Sequence, residues 1–575
     1  MPLMTLVGRS ARGGNGAPNL GDQDVVEPPL YTLPRKENGD PIAWDSVLNK
    51  HAEDMWDFRT VPANAGTVHT VGTAAQFNTA LTNCVRGDII EVTAQSVLTG
   101  QFSLPSKSGT GWIIIRPVNY ASLPAVGTRV ATSDFPNMFT IRSITNNGVP
   151  LTVGNSASYW RIIGAKITNE SGFANQDALV QMAQNNVAAP WSARATAPNN
   201  FVLDRCWIAG QAAGQRRGFS VAGFNIATVD CRYSGLLEPG ADSQNVWYYS
   251  WMRRLHVENC YLGTATENIM GGGADQPTID GSLADSWPAD IVINRCEFTH
   301  EGSSATDVRK NFLETKNGSY VLVTGCVMHY WRQDNQDSPI NILTINQGNT
   351  AGYRDYTLSN YITIRGNKIY DCAGYVFSLS RDNGSNVAVG TRYVEFSYNV
   401  IYDWNTGGTT KFFHAPSCEV CPEIAVYNNT VVLGISGHSY VHYDNGSGGT
   451  YSPDFGHRFY NNLLAYSTTY AFSGSLISGS PNALNTLFGT NNWRFDNNSS
   501  INAFEYATLG TGGTPTNSGN NTTRANVAAF QFTSTATDDY SLAGGAPDLA
   551  NGSDGRARGC NWSTLVTNTT GVVTG

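Results

Sequence analysis

The chain has 575 residues, 59 of them Gly, with 36 Lys plus Arg against 45 Asp plus Glu and a formal net charge of −9. That balance argues against a nucleic-acid backbone as partner, since such binders present a basic face. No run of about 18 apolar residues occurs, so no membrane-spanning helix is expected, and many turn formers with few charges suit short strands joined by loops.

The chain opens MPLMTLVGRSARGGNGAPNLGDQDVVEPP, with no apolar stretch behind a basic start. No secretory signal is therefore expected, and the protein leaves its cell by another route or is assembled inside it. This segment reads as disordered by composition, and a partner in a larger assembly would hold it in place. In TAAQFNTALTNCVRGDII, residues Thr73–Leu81 read as a short helix with Thr73 as N-cap. Placed before the first coil, it would plug the end of a solenoid core. Strands follow at Ile89–Val92, in WIIIR (112–116) and in YWRIIGAKI (159–167).

Then a motif recurs: apolar, any, apolar, two of any kind, Cys or Asn, any, apolar. It reads FVLDRCWI (201–208), LHVENCYL (255–262), IVINRCEF (291–298), VLVTGCVM (321–328), ITIRGNKI (362–369), VEFSYNVI (394–401), IAVYNNTV (424–431) and, more weakly, HRFYNNLL (457–464). With a copy ending on Cys231, the keyed residues are Cys206, Cys231, Cys260, Cys296, Cys326, Asn367, Asn399, Asn429 and Asn462. They are spaced 25, 29, 36, 30, 41, 32, 30 and 33 apart. Repeats at such periods mean a solenoid, propeller or array. Alternating apolar positions make the elements strands, and no amphipathic helix separates them. The fold class is therefore all-β: a right-handed, single-stranded parallel β-helix with an N-terminal helical cap, its hand following the rule for parallel crossovers. The keyed residue sits at a sharp turn, where Asn bonds its own turn and the next coil and Cys fills a small apolar site. Five stacked thiols followed by four stacked carboxamides are expected rather than disulfides, since same-facing side chains rarely meet disulfide geometry. Three segments follow: 1–64 as an N-terminal anchor or extension, 65–500 as the β-helix, and 501–575 as a C-terminal capping segment that closes the far end or packs along a coil.

GTAAQFNTALTNCVRGDIIEV resembles the entry segment, and DDYSLAGGAPDLANGSDG (538–555) the closing segment, of the pectate-lyase-like right-handed β-helix superfamily. The resemblance spans roughly 65–555 and implies the fold. That fold hosts polysaccharide lyases, hydrolases and phage tailspikes, and does not fix function. Within it, NFLETKNGSYVLVTGCV (311–327) is similar to a segment of alginate and chondroitin lyases in which a catalytic Lys follows two metal-binding acids and an Arg lies one coil later. Here Arg309 and Asn311 stand where those acids would be, and INILTINQG (340–348) has no Arg.

Glu314 and Lys316, two apart, share one strand face; with Leu313 and Thr315 inward, both charges lie outside. Glu267, Asp275, Asp290, His300, Lys310 and Arg332 are placed to lie on neighbouring coils. A lyase needs a base beside a uronate carboxylate and a cation to neutralise it. Lys316 as base with Glu314, Asp275 and Arg332 would supply that; the same Glu314 and Lys316 also read as a plain ion pair. No cofactor or metal is called for, calcium being the one ion the lyase likeness would bring. Aromatics beside arginines, Trp247, Tyr249, Trp251, Arg253 and Trp331, suit stacking on sugar rings, or packing in the core and against another subunit. Cys418 and Cys421, with His414, give three of the four ligands a structural zinc needs and read instead as a loop disulfide or free thiols. GGGAD (271–275) follows no strand-to-helix pattern and is no phosphate cradle.

Three functions follow. The first is a phage tailspike-like virion protein that binds, and in its active form degrades, host surface polysaccharide. It would be a homotrimer, its N-terminus docked on another virion protein of the tail. The second is a secreted polysaccharide lyase or glycoside hydrolase, located extracellularly. The third is a non-catalytic adhesin.

Overall fold

The computed structural model describes the strands at 44–45 and 50–51, then 58–182 and 196–272 apart from 212–213 and 239. It continues with 288–300, 310–331, the strands and their turns between 340 and 501, and 521–573 apart from 554. Asp275, Arg309, Arg332, Cys418 and Cys421 lie outside the described residues, as do 1–43.

Each coil lays down three strands. In one turn these are Ala289–Asn294, the short Glu297–Thr299 and Asn311–Thr315. Their counterparts in successive coils pair in parallel. Phe201, Ile226, Leu255, Ile291, Val321, Ile362, Val394 and Ile424 stand in one register column. β-Branched and aromatic side chains suit a pleated stack of this kind, and these residues form one continuous apolar core along the axis. The short strand after each keyed residue builds a separate parallel sheet of 14 strands. Among the described residues only two strand pairs are antiparallel, Trp44–Asp45 with Lys50–His51 and Phe532–Ser534 with Asp539–Leu542, besides an isolated Glu238–Ala241 bridge.

The keyed row is the hinge of every coil. The residue before it adopts a left-handed backbone at Arg205, Asp230, Asn259, Arg295, Gly325, Gly366, Tyr398, Asn428 and Asn461. The chain thereby turns sharply and aims the next side chain inward. Cys206, Cys231, Cys260, Cys296 and Cys326 are buried free thiols. Their contacts are weak: Cys206 N donates to Cys231 Sγ at 3.3 Å and Cys296 N to Cys326 Sγ at 3.4 Å. At Asn367 the row changes chemistry. Its Oδ1 accepts from Cys326 N at 2.9 Å, and its own N and Nδ2 donate to Asn399 Oδ1 at 2.9 and 3.0 Å. The pattern repeats through Asn429 and Asn462 and runs two rungs beyond the sequence reading, to Asn498 and Asn521.

The helix spans Ala74–Asn83, two residues past the expected end, and Thr73 and Gln76 form a reciprocal capping box. Its Phe77, Ala80 and Leu81 join the solenoid core beside Val71 and Ile90. Residues 58–64 already lie on the coils. Arg161, fully buried, donates to Phe58 O, Arg59 O and Thr60 O while paired with Asp204 at 2.7 Å. Arg59 grips Glu258 two-pronged at 2.8 and 2.6 Å. The far end turns back: after Thr522–Thr523 the tail packs Tyr540 on Tyr402 and forms the helix Trp562–Thr569. Arg295 reaches Asn568 O and Thr570 O, and Arg129 holds Val572 O at 2.8 Å and Glu297 at 2.7 Å. The tail thus packs along the coils, one of the two placements expected.

Candidate functional site

Four consecutive strands carry the site: Gln215–Val229, Gln244–Glu258, Glu267–Gly271 and Asn311–Thr315. Register places Arg217, Gln244, Glu267 and Asn311 in one column, and Trp247, Met270 and Glu314 in the column three residues on. Arg217 Nε donates to Gln244 Oε1 at 3.1 Å, and Gln244 Nε2 to Glu267 Oε2 at 2.6 Å. Lys310 Nζ stands 2.6 Å from Asp242 Oδ2 and 4.0 Å from Glu267 Oε1. Lys316 Nζ lies 3.1 Å from Glu314 Oε2 and 3.7 Å from Met270 Sδ.

Glu267 is fully buried. Burial first, then the Glu314 charge and a hydrogen bond to Glu314, push its carboxyl well above the usual range, and Lys316 only partly opposes this. Burial and the neighbouring Glu314 thus both favour its protonated form. Burial alone would lower Lys316, but the Glu314 and Glu267 carboxyls outweigh it and hold its ammonium above the ordinary value. This favours the charged form of Lys316, whereas the sequence reading gives it the role of base. Burial pulls Arg217 down to about 10, still charged at neutral pH. Arg217 feels the carboxyls of Asp177, Glu267 and Glu238, while Asp242 stands against Lys310 and Glu314 against Lys316.

Glu314 and Lys316 do pair, but not on an open surface: their side chains are only 5% and 13% exposed. Leu313 and Thr315 are buried too, as expected. The stacking aromatics fall differently. Trp247 is buried, its Nε1 donating to Gly272 O at 2.7 Å and its ring lying 4.1 Å under the Arg217 guanidinium. Trp331 is buried and donates to Lys310 O at 2.7 Å. Both are buried rather than open to a sugar; Trp247 lies against the Arg217 guanidinium and Trp331 holds the Lys310 backbone. Tyr249, Trp251 and Arg253 lie on the strand Gln244–Glu258, and Arg253 is half-buried. Asp242, Gln244 and Arg217 have no signal in the sequence: the members of their column stand at different distances from the keyed cysteine of each coil, and only the parallel register makes them neighbours.

The acids of this site do not fit a calcium ion. Between Asp242 and Glu267 the chain supplies its own ammonium, Lys310, and a divalent ion would meet that charge. Among the described residues no three His, Cys, Asp or Glu side chains converge as a metal site.

No family model and no curated protein matches the chain. Among solved structures it is similar to an alginate lyase from Paenibacillus sp. str. FPU-7, at 15% identity over 64% of this chain and 95% of that one, with a TM-score of 0.31. It is similar to the Family 28 exopolygalacturonase of Yersinia enterocolitica, at 10% identity over 76% and 78%, TM-score 0.38. It is also similar to the Dettilon tailspike protein, at 9% identity over 73% and 66%, TM-score 0.36. These are parallel β-helix proteins, and likeness at this level carries no activity from them to this chain.

Proposed function

We propose that the chain is a tailspike-like β-helix protein that binds an acidic polysaccharide along its middle coils and cleaves it by β-elimination at Glu267, Glu314 and Lys316. One observation carries the reading: Glu314 and Lys316 pair at 3.1 Å with both side chains nearly buried, beside a fully buried Glu267 whose carboxyl is pushed well above the usual range, an arrangement that costs stability. In the step, the Glu314 carboxylate takes the proton beside the uronate carboxyl group. The C–O bond to the leaving sugar breaks as the C=C bond forms, and Glu267 gives its proton to the leaving oxygen. A proton passing between the two carboxyls resets the pair. Lys316 and Lys310 offset the charge that builds on the uronate.

Hydrolysis is the weaker reading. Glycosidase carboxyls stand about 5–9.5 Å apart, with the scissile bond between them, whereas Glu314 lies near enough to Glu267 to raise its carboxyl. A neighbouring acid and base suits removal of proton and leaving group from one side.

The wider reading keeps the right-handed coil, the helix Ala74–Asn83 as its cap, and segments 1–64, 65–500 and 501–575 as anchor, β-helix and closing segment. It makes the protein a homotrimer on a phage tail, its N-terminus docked on another virion protein; a secreted extracellular lyase and a silent adhesin are the alternatives. The test is to incubate the protein with alginate, polygalacturonate and hyaluronan, following ultraviolet absorbance of the unsaturated product, and to measure its mass by light scattering. Absorbance growth with a mass three times the 62.0 kDa chain supports the reading. Binding without product leaves the adhesin, and a monomer removes the tailspike assignment.

A further inference from the structure

Arg217 and Gln244 belong to the site but take no part in the elimination step. Arg217 is buried, its guanidinium 4.1 Å over the Trp247 ring, and its Nε donates to Gln244 Oε1 at 3.1 Å. Gln244, fully buried, donates through Nε2 to Glu267 Oε2 at 2.6 Å, and Met270 Sδ lies 3.9 Å from the same nitrogen. Arginine, carboxamide and acid thus form one chain of hydrogen bonds across three successive coils.

Its direction is set by chemistry. A guanidinium has only donors, whereas a carboxamide has a donor end and an acceptor end. Arg217 therefore holds the Gln244 oxygen, and the amino end is left for two acceptors, Glu267 Oε2 and Met270 Sδ. Glu267 Oε2, already facing an N–H, has no acceptor there for a proton of its own. Among the described residues Glu267 Oε1 accepts no hydrogen bond, and Lys310 Nζ stands 4.0 Å from it. A reversed carboxamide would turn its oxygen to Glu267 Oε2 and hold a proton there.

We propose that Arg217 is a positioning residue which, by orienting Gln244, keeps Glu267 Oε2 an acceptor and confines the acid proton to Oε1. The effect on rate rests on the elimination reading; the effect on the Glu267 proton does not. Donation to a carboxylate favours its charged form, so the chain opposes the rise that burial and Glu314 impose on Glu267. The other charges around this acid are Asp242, just before the strand Gln244–Glu258, and Lys310, Glu314 and Lys316, in or beside the strand Asn311–Thr315. Its own strand, Glu267–Gly271, carries no other charge.

The experiment is infrared titration of the full chain, with the Glu267 carboxyl band identified by its loss in Glu267→Gln. Arg217→Met and Gln244→Met should each raise the Glu267 midpoint by about one pH unit. In the Gln244→Met background, Arg217→Met should add much less than it does alone. Arg217→Lys, which keeps the charge, enters the same cycle and carries the test if Arg217→Met does not fold; its shift should likewise shrink without Gln244. Cleavage by Arg217→Met should fall about tenfold, its alkaline limb moving up with the infrared midpoint. These infrared shifts in a protein that cleaves no polymer would keep the proposal and remove the elimination reading. Equal Arg217 shifts in both backgrounds, a midpoint unmoved by Arg217 variants, or no band lost in Glu267→Gln would overturn the proposal, whether or not the protein cleaves.

Discussion

The coils keyed by cysteine and those keyed by asparagine solve one turn in two ways. In the asparagine coils each carboxamide accepts from the preceding rung and donates back into the stack, as Asn429 does with Asn399, Phe396 O and Asn462. In the cysteine coils the same place holds thiols whose contacts run from 3.3 to 3.8 Å, so burial rather than hydrogen bonding fixes the turn. Each region also buries a glutamate, and there the contrast carries function. Glu395, among the asparagine coils, is met by donors, Ser397 Oγ and Tyr427 Oη. Glu267, among the cysteine coils, has one donor, Gln244 Nε2, and a second carboxyl, Glu314, beside it. Burial raises both acids, but only Glu267 is raised further by a neighbouring acid.

The largest expected effect separates the two glutamates by activity. Glu314→Gln should lower the elimination rate on the polymer that wild type cleaves by about 10²–10⁴-fold, the range of a general acid–base group. Glu395→Gln should leave it within a few-fold. Equal losses in the two would erase the contrast.

The two rows differ next in stability. Asn429→Ala strands donors and acceptors in three coils and should cost about 1–3 kcal/mol. Cys260→Ala removes one buried sulfur with weak contacts and should cost under about 1 kcal/mol. Because solenoid coils unfold locally, amide exchange in the coils flanking each substitution is the measurement. Equal loss of protection would mean that the thiol row bonds as strongly as the carboxamide row.

The smallest effect is in pH. A carboxyl raised by folding binds its proton more tightly folded than unfolded. Its contribution is therefore complete below the ordinary glutamate value and is lost as pH rises toward the raised one. Glu267→Gln should flatten this decline, read as the urea midpoint at pH 5 and pH 8, and should raise the midpoint at pH 8. A steeper decline in the variant would show that Glu267 is ionised in the fold.

The coil register was open to reading because one residue per turn is chemically marked, by Cys or Asn after two unconstrained positions. The last rungs escaped it: Asn498 in WRFDNNSS has Ser500 where an apolar residue closes the motif, and Asn521 follows Thr516 and Ser518 where apolar residues would stand. The site was half legible. FLETK announced two charges on one face, but not that they would be sunk, because burial comes from neighbouring coils. Glu267 gains its partner from a residue 47 positions later, a separation set by loop lengths that no local pattern encodes. Trp247 and Trp331 carried the right chemistry for a sugar, yet residue type does not say which face of a coil is covered: Trp247 lies against the Arg217 guanidinium and Trp331 bonds the Lys310 backbone.

The most direct test of the proton-sharing pair is the pH dependence of cleavage in wild type and in Glu267→Gln. Wild type should lose rate on the alkaline side at a value well above that of an ordinary glutamate, as Glu267 gives up its proton. The variant should be slow at every pH and lack that limb. A Glu267→Gln enzyme with the wild-type rate and an unchanged alkaline limb would contradict the account.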